Sequence, residues 1–124
     1  MMGRMSIAAT VALLFIAVLH TYILVLEMFL WATPRGRAAF GTTPEFAETT
    51  KALASNQGLY NGFLAAGLFW AAASSGTVRY QSGIFFLACV AIAGVYGGLT
   101  ASRRIIFVQT VPALIALVLV LAAH

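Results

Sequence analysis

MSIAATVALLFIAVLHTYILVLEMFLW, residues 5–31, decides the fold. Along these 27 residues the only charged side chain is Glu27 and the only imidazole is His20; the rest is apolar, small or hydroxyl-bearing. At ~1.5 Å of rise per residue, such a run makes a helix long enough to cross the ~30 Å hydrocarbon core of a bilayer. Arg4 in front of it resembles the start of a secretory signal, but the apolar stretch outruns an h-region of about 7–15 residues and no small-residue cleavage site closes it. It reads as a helix that stays in the chain. A carboxylate at that depth costs roughly 2.5–3.5 kcal/mol on insertion scales, so Glu27 is expected to face the interior of a bundle or a cavity and to mark function.

Three more apolar runs follow, from Gln57 to about Ala73, from about Tyr80 to Ala101, and from Ile105 to Ala122. The connections 74–79 and 102–104 are short, as between antiparallel neighbours. The expected fold is therefore an all-α membrane protein: a four-transmembrane-helix up-down bundle, residues 1–124 forming a single domain. Composition agrees. Of the 124 residues 62% are hydrophobic and only 8% charged, and the mean hydropathy of +0.99 is far from that of a soluble domain, in which about a quarter of residues are charged. The expected environment is the lipid bilayer.

The single cysteine, Cys89, lies in an apolar stretch and excludes an intrachain disulfide framework; it reads as a small buried hydrophobe. The net charge of +4 comes from seven Lys and Arg set against Glu27, Glu45 and Glu48. These charges are too sparse and scattered for nucleic-acid binding. They serve better as topology signals: Arg35, Arg37, Lys51, Arg103 and Arg104 fall on one side of the expected bundle, Arg4 and Arg79 on the other. The positive-inside rule then makes the first and third loops cytoplasmic and turns both termini outward.

The long connection 32–56 opens with the basic, turn-prone Pro34-Arg35-Gly36-Arg37 and restarts at Thr43-Pro44-Glu45. There Thr43 can cap a helix, Pro44 suits its first position and Glu45 complements its dipole. Phe46, Thr50 and Leu53 follow at helical spacing. The reading is a short amphipathic helix in the first loop, resting on headgroups or acting as a lid, or running straight into the second span.

With this orientation the polar residues inside the spans gather at one level. Glu27 lies about a turn inside the end of the first span; Asn56, Gln57, Tyr60 and Asn61 open the second; Tyr96 and Thr100 close the third; Gln109 and Thr110 lie early in the fourth. All fall in the cytoplasmic half. Taken singly, such amides and phenols serve as interhelical glue worth ~0.6 kcal/mol. An ionised Glu27, however, needs a cation or several donors, and the candidates are Gln57, Asn61, Tyr60, Tyr96 and an inward-reaching Arg103 or Arg104; the alternative is that it sits protonated. His20 shares a helix face with Glu27 but lies ~10.5 Å away along the axis, too far for one metal ion to bind both. It is expected to hydrogen-bond a neighbouring helix, or else to relay a proton or contact a ligand. The candidate ligand-binding set is thus His20, Glu27, Gln57, Tyr60, Asn61, Tyr96 and Gln109, with no metal site. No HExxH pattern and no nucleophile beside a base is visible, and any cofactor is left unknown.

Gly58, Gly62 and Ala66 form a small-residue stripe on the second span, as do Gly94 and Gly98 on the third. Such stripes let helices approach closely, within the bundle or between the copies of a homo-oligomer. Pro112 lacks an amide proton and crowds the carbonyl of Val108, which predicts a kink in the fourth span. Trp31 and Tyr80 sit at span ends as interfacial anchors.

Three strings, LEMFLWATPRGR (26–37), PEFAETTKALASNQGLYNGFLAAGL (44–68) and AGVYGGLTASRRIIFVQTVPALIAL (93–117), closely resemble the small bacterial membrane proteins grouped as domain-of-unknown-function family thirteen-oh-four. The resemblance covers nearly the whole chain. It implies a four-span protein of the bacterial inner membrane and carries no established activity. At the level of fold the chain also resembles microsomal glutathione transferases, which share four spans, outward termini, a long cytoplasmic first loop and polar residues opening the second span. Lys51, Asn56 and Asn61 stand where that family's basic and amide residues would be sought, but Leu59 and Tyr60 replace the acidic residue expected beside the amide. Function is therefore expected to be one of three kinds. The first is a cytoplasm-facing intramembrane pocket that binds or translocates a small amphipathic or cationic molecule. The second is a structural or accessory membrane subunit, and the third a membrane transferase.

Overall fold

Threonine, proline and glycine place the helix boundaries. The computed structural model describes residues 3–124. Helix α1 (Arg4–Met28) carries the first apolar run and is stopped ahead of Thr33, whose extended backbone (φ −76°, ψ 162°) is what a residue before proline adopts. Helix α2 (Pro34–Phe40) begins at that proline, with the Thr33 hydroxyl accepting from the Gly36 amide, and ends at Gly41 in the left-handed region (φ 68°). Helix α3 (Pro44–Thr49) repeats the device: Thr43 accepts from the Phe46 amide at 3.1 Å, Pro44 opens the first turn and Glu45 lies at its positive end. Helix α4 (Lys51–Ala73) follows after Thr50 alone. A two-residue turn leads to α5 (Gly76–Thr100), and a π-helical turn at Ile106–Thr110 runs into α6 (Val111–Ala123).

Two expectations change. The first loop contains two short helices, because Pro34-Arg35-Gly36-Arg37, expected to be a turn, is a capped helical start with proline where its missing amide costs nothing. The helix that starts at Pro44 breaks at Thr50 and resumes at Lys51 as α4, which runs straight into the second apolar run, one of the courses expected for it. The fold is all-helical, with no strand among the described residues. Three of its helical segments, not four, are long and apolar enough to span a membrane: Arg4–Met28, Gly76–Thr100 and Ile106–Ala123. Helix α4 is long enough at 23 residues, but Asn56, Gln57 and Asn61 in its first half dilute its apolar character.

The chain forms two compact units, one made of Met1–Ala17 with Ala66–His124 and the other of Val18–Ala65. In the first, Leu13, Ile16, Leu68, Leu87 and Val90 are fully buried. Helices α1, α5 and α6 meet at Gly83, where a Cβ would lie 3.5 Å from Val120 and 3.8 Å from Leu13. Further along α5, Gly94 and Gly98 face the π-helical turn, leaving room for Thr110, Gln109 and Ile106. The turn is the form the proline distortion takes: the Val111 amide reaches back five residues to the Ile106 carbonyl, which widens the helix just before Pro112, whose ring would crowd a regular turn. The Thr110 hydroxyl donates to the Ala91 carbonyl at 3.0 Å and ties the widened turn to α5.

In the second unit, the glycines of α4 lie against α1. A Cβ on Gly62 would come within 2.7 Å of Leu24, and one on Gly58 within 3.2 Å of both the Leu24 carbonyl and the Glu27 Cβ. Helix α2 packs on the end of α1 through Gly36, where any side chain would strike the Leu30 and Trp31 carbonyls. Trp31 sits between the short helices and α4: its ring lies 4.9 Å from that of Phe40 and its indole N–H donates to the Thr50 hydroxyl at 3.0 Å.

Candidate functional site

Gly58 and Gly62 bring α1 and α4 close enough for short polar side chains to bridge them. Asn61 lies between the two glycines on the same face of α4, since positions three and four apart share a face. Its Nδ2 donates to Glu27 Oε1 at 2.6 Å, short even for a hydrogen bond to a charged acceptor. Both residues are buried, at 7% and 6% exposure. Among the described residues, the second carboxylate oxygen has no hydrogen-bond donor and no Lys or Arg pairs with Glu27. A carboxylate inside a candidate span is thus held by a single neutral donor.

The other expected members are distributed differently. His20, two turns earlier on α1, is fully buried and has an interaction partner of its own. Gln57 and Tyr60 are exposed on α4, and the Tyr60 ring meets Phe63 edge-on at 5.9 Å. Tyr96 is 70% exposed on α5. Gln109 is half-buried in the π-helical turn, where its Cβ lies against Gly94. Tyr96 and Gln109 belong to one compact unit and Glu27, Gln57, Tyr60 and Asn61 to the other. The transferase-like positions are engaged locally: Lys51 pairs with Glu48 at 3.0 Å, and the Asn56 amide donates to the Ala52 carbonyl on its own helix. No group of three or more His, Cys, Asp or Glu able to hold a metal ion occurs among the described residues.

Besides the Trp31–Thr50 bond, sequence reading missed a polar contact of Arg35 in this unit. Arg35, at the start of α2, donates through Nε and Nη2 to the Tyr22 hydroxyl at 3.2 and 3.0 Å, and its guanidinium lies 5.8 Å from the centre of the same ring. The signal was the position of Arg35 immediately after the first span, where a basic side chain can fold back along the helix it follows.

An all-helical chain with three helices long and apolar enough to span a membrane, the first of them carrying a buried carboxylate bonded to an amide of α4, is consistent with a small protein of the integral-membrane class. Within that class the chain belongs to the family described as "Protein of unknown function (DUF1304)", which it matches over residues 14–121. It is similar to the uncharacterised protein YpaA of Lactococcus lactis subsp. lactis, with 29% identity over 116 residues, covering 92% of this chain and 97% of YpaA. No solved structure matches the chain.

Proposed function

We propose that the protein is a membrane-embedded binding module whose recognition centre is the Glu27–Asn61 pair, and that its ligand is a small cationic or amphipathic molecule bound for recognition or translocation. In this reading α4 is a fourth span, polar in its first half because that half lines the binding region, and the basic first and third loops lie on the cytoplasmic side of the bacterial inner membrane. The observation that carries the reading is the free second oxygen of a buried carboxylate. Asn61 orients the group by one oxygen and leaves the other for a donor or a cation from outside the protein. Gly58 supports the arrangement by holding the backbone of α4 against the Glu27 Cβ.

The test is thermal unfolding of detergent-solubilised protein against a panel of primary and quaternary amines, with native mass spectrometry of protein released gently from its own membrane. A ligand that raises Tm in the wild type and fails to do so in a folded Glu27→Gln variant supports the reading. Equal shifts in both proteins would remove Glu27 from recognition. A structural or accessory role is the competing reading, favoured by the tight glycine-mediated contact around the pair; it predicts that native purification yields a stoichiometric larger partner and no retained small molecule.

A further inference from the structure

A second buried ionic group lies in the other compact unit. Arg79, in the first turn of α5, is only 8% exposed. Its Nε donates to the Ala71 carbonyl at 3.3 Å, Nη2 to the Ala72 carbonyl at 2.7 Å, and Nη1 to the carbonyl and hydroxyl of Ser6, both at 3.3 Å. All four acceptors are neutral. The unit contains no Asp or Glu at any position, so no side-chain carboxylate within it can balance the guanidinium. The end of α4, to which Ala71 and Ala72 belong, supplies the equivalent of about half a negative charge, and no acidic side chain of the unit adds to it. Buried charges are normally paired.

Arg79 also lines a cavity of about 280 Å³, together with Ser6, Ser75, Thr77, Tyr80 and His124. That volume lies just below the ~300–1,000 Å³ of pockets for drug-sized molecules and suits a headgroup-sized ion. Its wall chemistry is that of an anion site. Ser75, at the N-cap of α5, makes no capping bond with its hydroxyl; the first amides of a 25-residue helix open beside it; Thr77 adds a second hydroxyl. The Tyr80 and His124 rings stack at 3.7 Å and 22° and form one flank. The left-handed Gly76 (φ 58°) turns the chain into the helix at this point.

We propose that this cavity binds a phosphate-bearing anion, chemistry shared by an anionic phospholipid headgroup and a soluble phosphate ester, with Arg79 as its fixed counter-charge and the Ser75 and Thr77 hydroxyls as further donors. The site is independent of the Glu27–Asn61 reading. It is tested on the full chain in neutral detergent by thermal unfolding in inorganic phosphate against chloride of equal ionic strength, and in nanodiscs of phosphatidylcholine with and without phosphatidylglycerol. At about ten times its Kd, phosphate should raise Tm by about 4 °C. Removing one hydroxyl donor in Thr77→Ala, an exposed position, should raise the half-effective phosphate concentration about tenfold. That shift separates binding from the general stabilisation phosphate gives by exclusion from protein surfaces. A response to phosphate assigns the soluble source; a response confined to phosphatidylglycerol, and reduced in Thr77→Ala, assigns the lipid. Arg79→Lys keeps the charge but not the planar fork, and should weaken either response. Responses absent from both media, or unchanged in Thr77→Ala and in a folded Arg79→Lys, would overturn the site and leave Arg79 as the cap of α4 alone.

Discussion

The bond between Asn61 and Glu27 gives the sharpest quantitative expectation. Asn61→Ala deletes the one donor to a carboxylate that is 7% exposed; a hydrogen bond to a charged group is worth about 1.5–3 kcal/mol, whereas interhelical polar contacts in membranes average ~0.6 and reach ~1.7 kcal/mol. The 2.6 Å distance and the burial of both partners place this bond at the upper end of the membrane range, about 1.5 kcal/mol. Glu27→Leu removes the acceptor but keeps the Cβ that rests against Gly58, and strands the Asn61 amide at a cost of about 1 kcal/mol. The double variant carries neither orphan and should fall close to the wild type. The coupling energy from a double-mutant cycle should therefore be about 2.5 kcal/mol, because both single costs vanish in the double variant, read by reversible SDS unfolding in mixed micelles or by steric trapping in bicelles. Additivity of the two single changes to within about 0.5 kcal/mol would show that the pair is not an interaction at all, and the proposed recognition centre would lose its geometry.

Two further outcomes follow from the packing. Gly94→Ala should destabilise the protein by about 1.5–3 kcal/mol, since its Cβ would lie 2.8 Å from the Thr110 backbone nitrogen and against the hydroxyl that binds Ala91; overpacking and the lost bond outweigh the ~0.5–1 kcal/mol gained in helix propensity. Gly97→Ala, where the Cβ would meet only the Ile105 side chain at 3.1 Å, should be near neutral in the same SDS titration, and equal effects at the two positions would contradict the close approach of α5 to the π-helical turn. Thr43→Ala should cost about 1 kcal/mol of local stability in α3, seen as roughly fivefold faster amide exchange at Phe46 and Ala47 with no change in exchange along α5; an unchanged α3 would show that Thr43 does not cap it.

Much of the fold is legible in the residues because membrane helices obey one dominant rule. Met5–Trp31, Tyr80–Ala101 and Ile105–Ala122 are read as helices from length and apolarity, and their observed ends differ by a few residues. Thr43-Pro44-Glu45 is read as a helix start because cap, proline and acid each act locally. The pattern Pro34-Arg35-Gly36-Arg37 misleads because proline and glycine also make turns; the choice depends on Gly36 having to pass beneath the Leu30 and Trp31 carbonyls, six and five residues before it. The π-helical form of the Pro112 distortion is likewise settled by Thr110 reaching Ala91 on another helix.

The choice of Asn61 among the candidate donors to Glu27 has a signal that runs through the glycines. Gly58, Asn61 and Gly62 share one face of α4, whereas Tyr60 points roughly opposite at about 100° per residue. Reading the small-residue stripe as the contact face selects Asn61 before any coordinates, and the exposure of Gln57 and Tyr60 agrees. Arg79 carries no comparable signal, because its burial depends on Ser6, 73 positions away.

The energetics of the pair bear on what it is for. Placing an ionised carboxylate at membrane depth costs roughly 2.5–3.5 kcal/mol, and a single interhelical bond returns at most ~1.7 kcal/mol. The pair alone therefore leaves a deficit of about 1 kcal/mol or more, and two apolar side chains between Gly58 and Gly62 would hold α1 and α4 together at least as well. Protonation of Glu27 would remove that deficit; for the ionised form a purely structural role leaves it unexplained. A donor or cation that engages the second oxygen closes it, because a hydrogen bond to a buried charge is worth about 1.5–3 kcal/mol. The same question applies to Arg79, whose acceptors are all neutral in a unit without an acidic side chain. Each compact unit thus contains one buried ionisable side chain with no oppositely charged side-chain partner among the described residues, acidic in one and basic in the other. The binding reading proposed above supplies a partner to each.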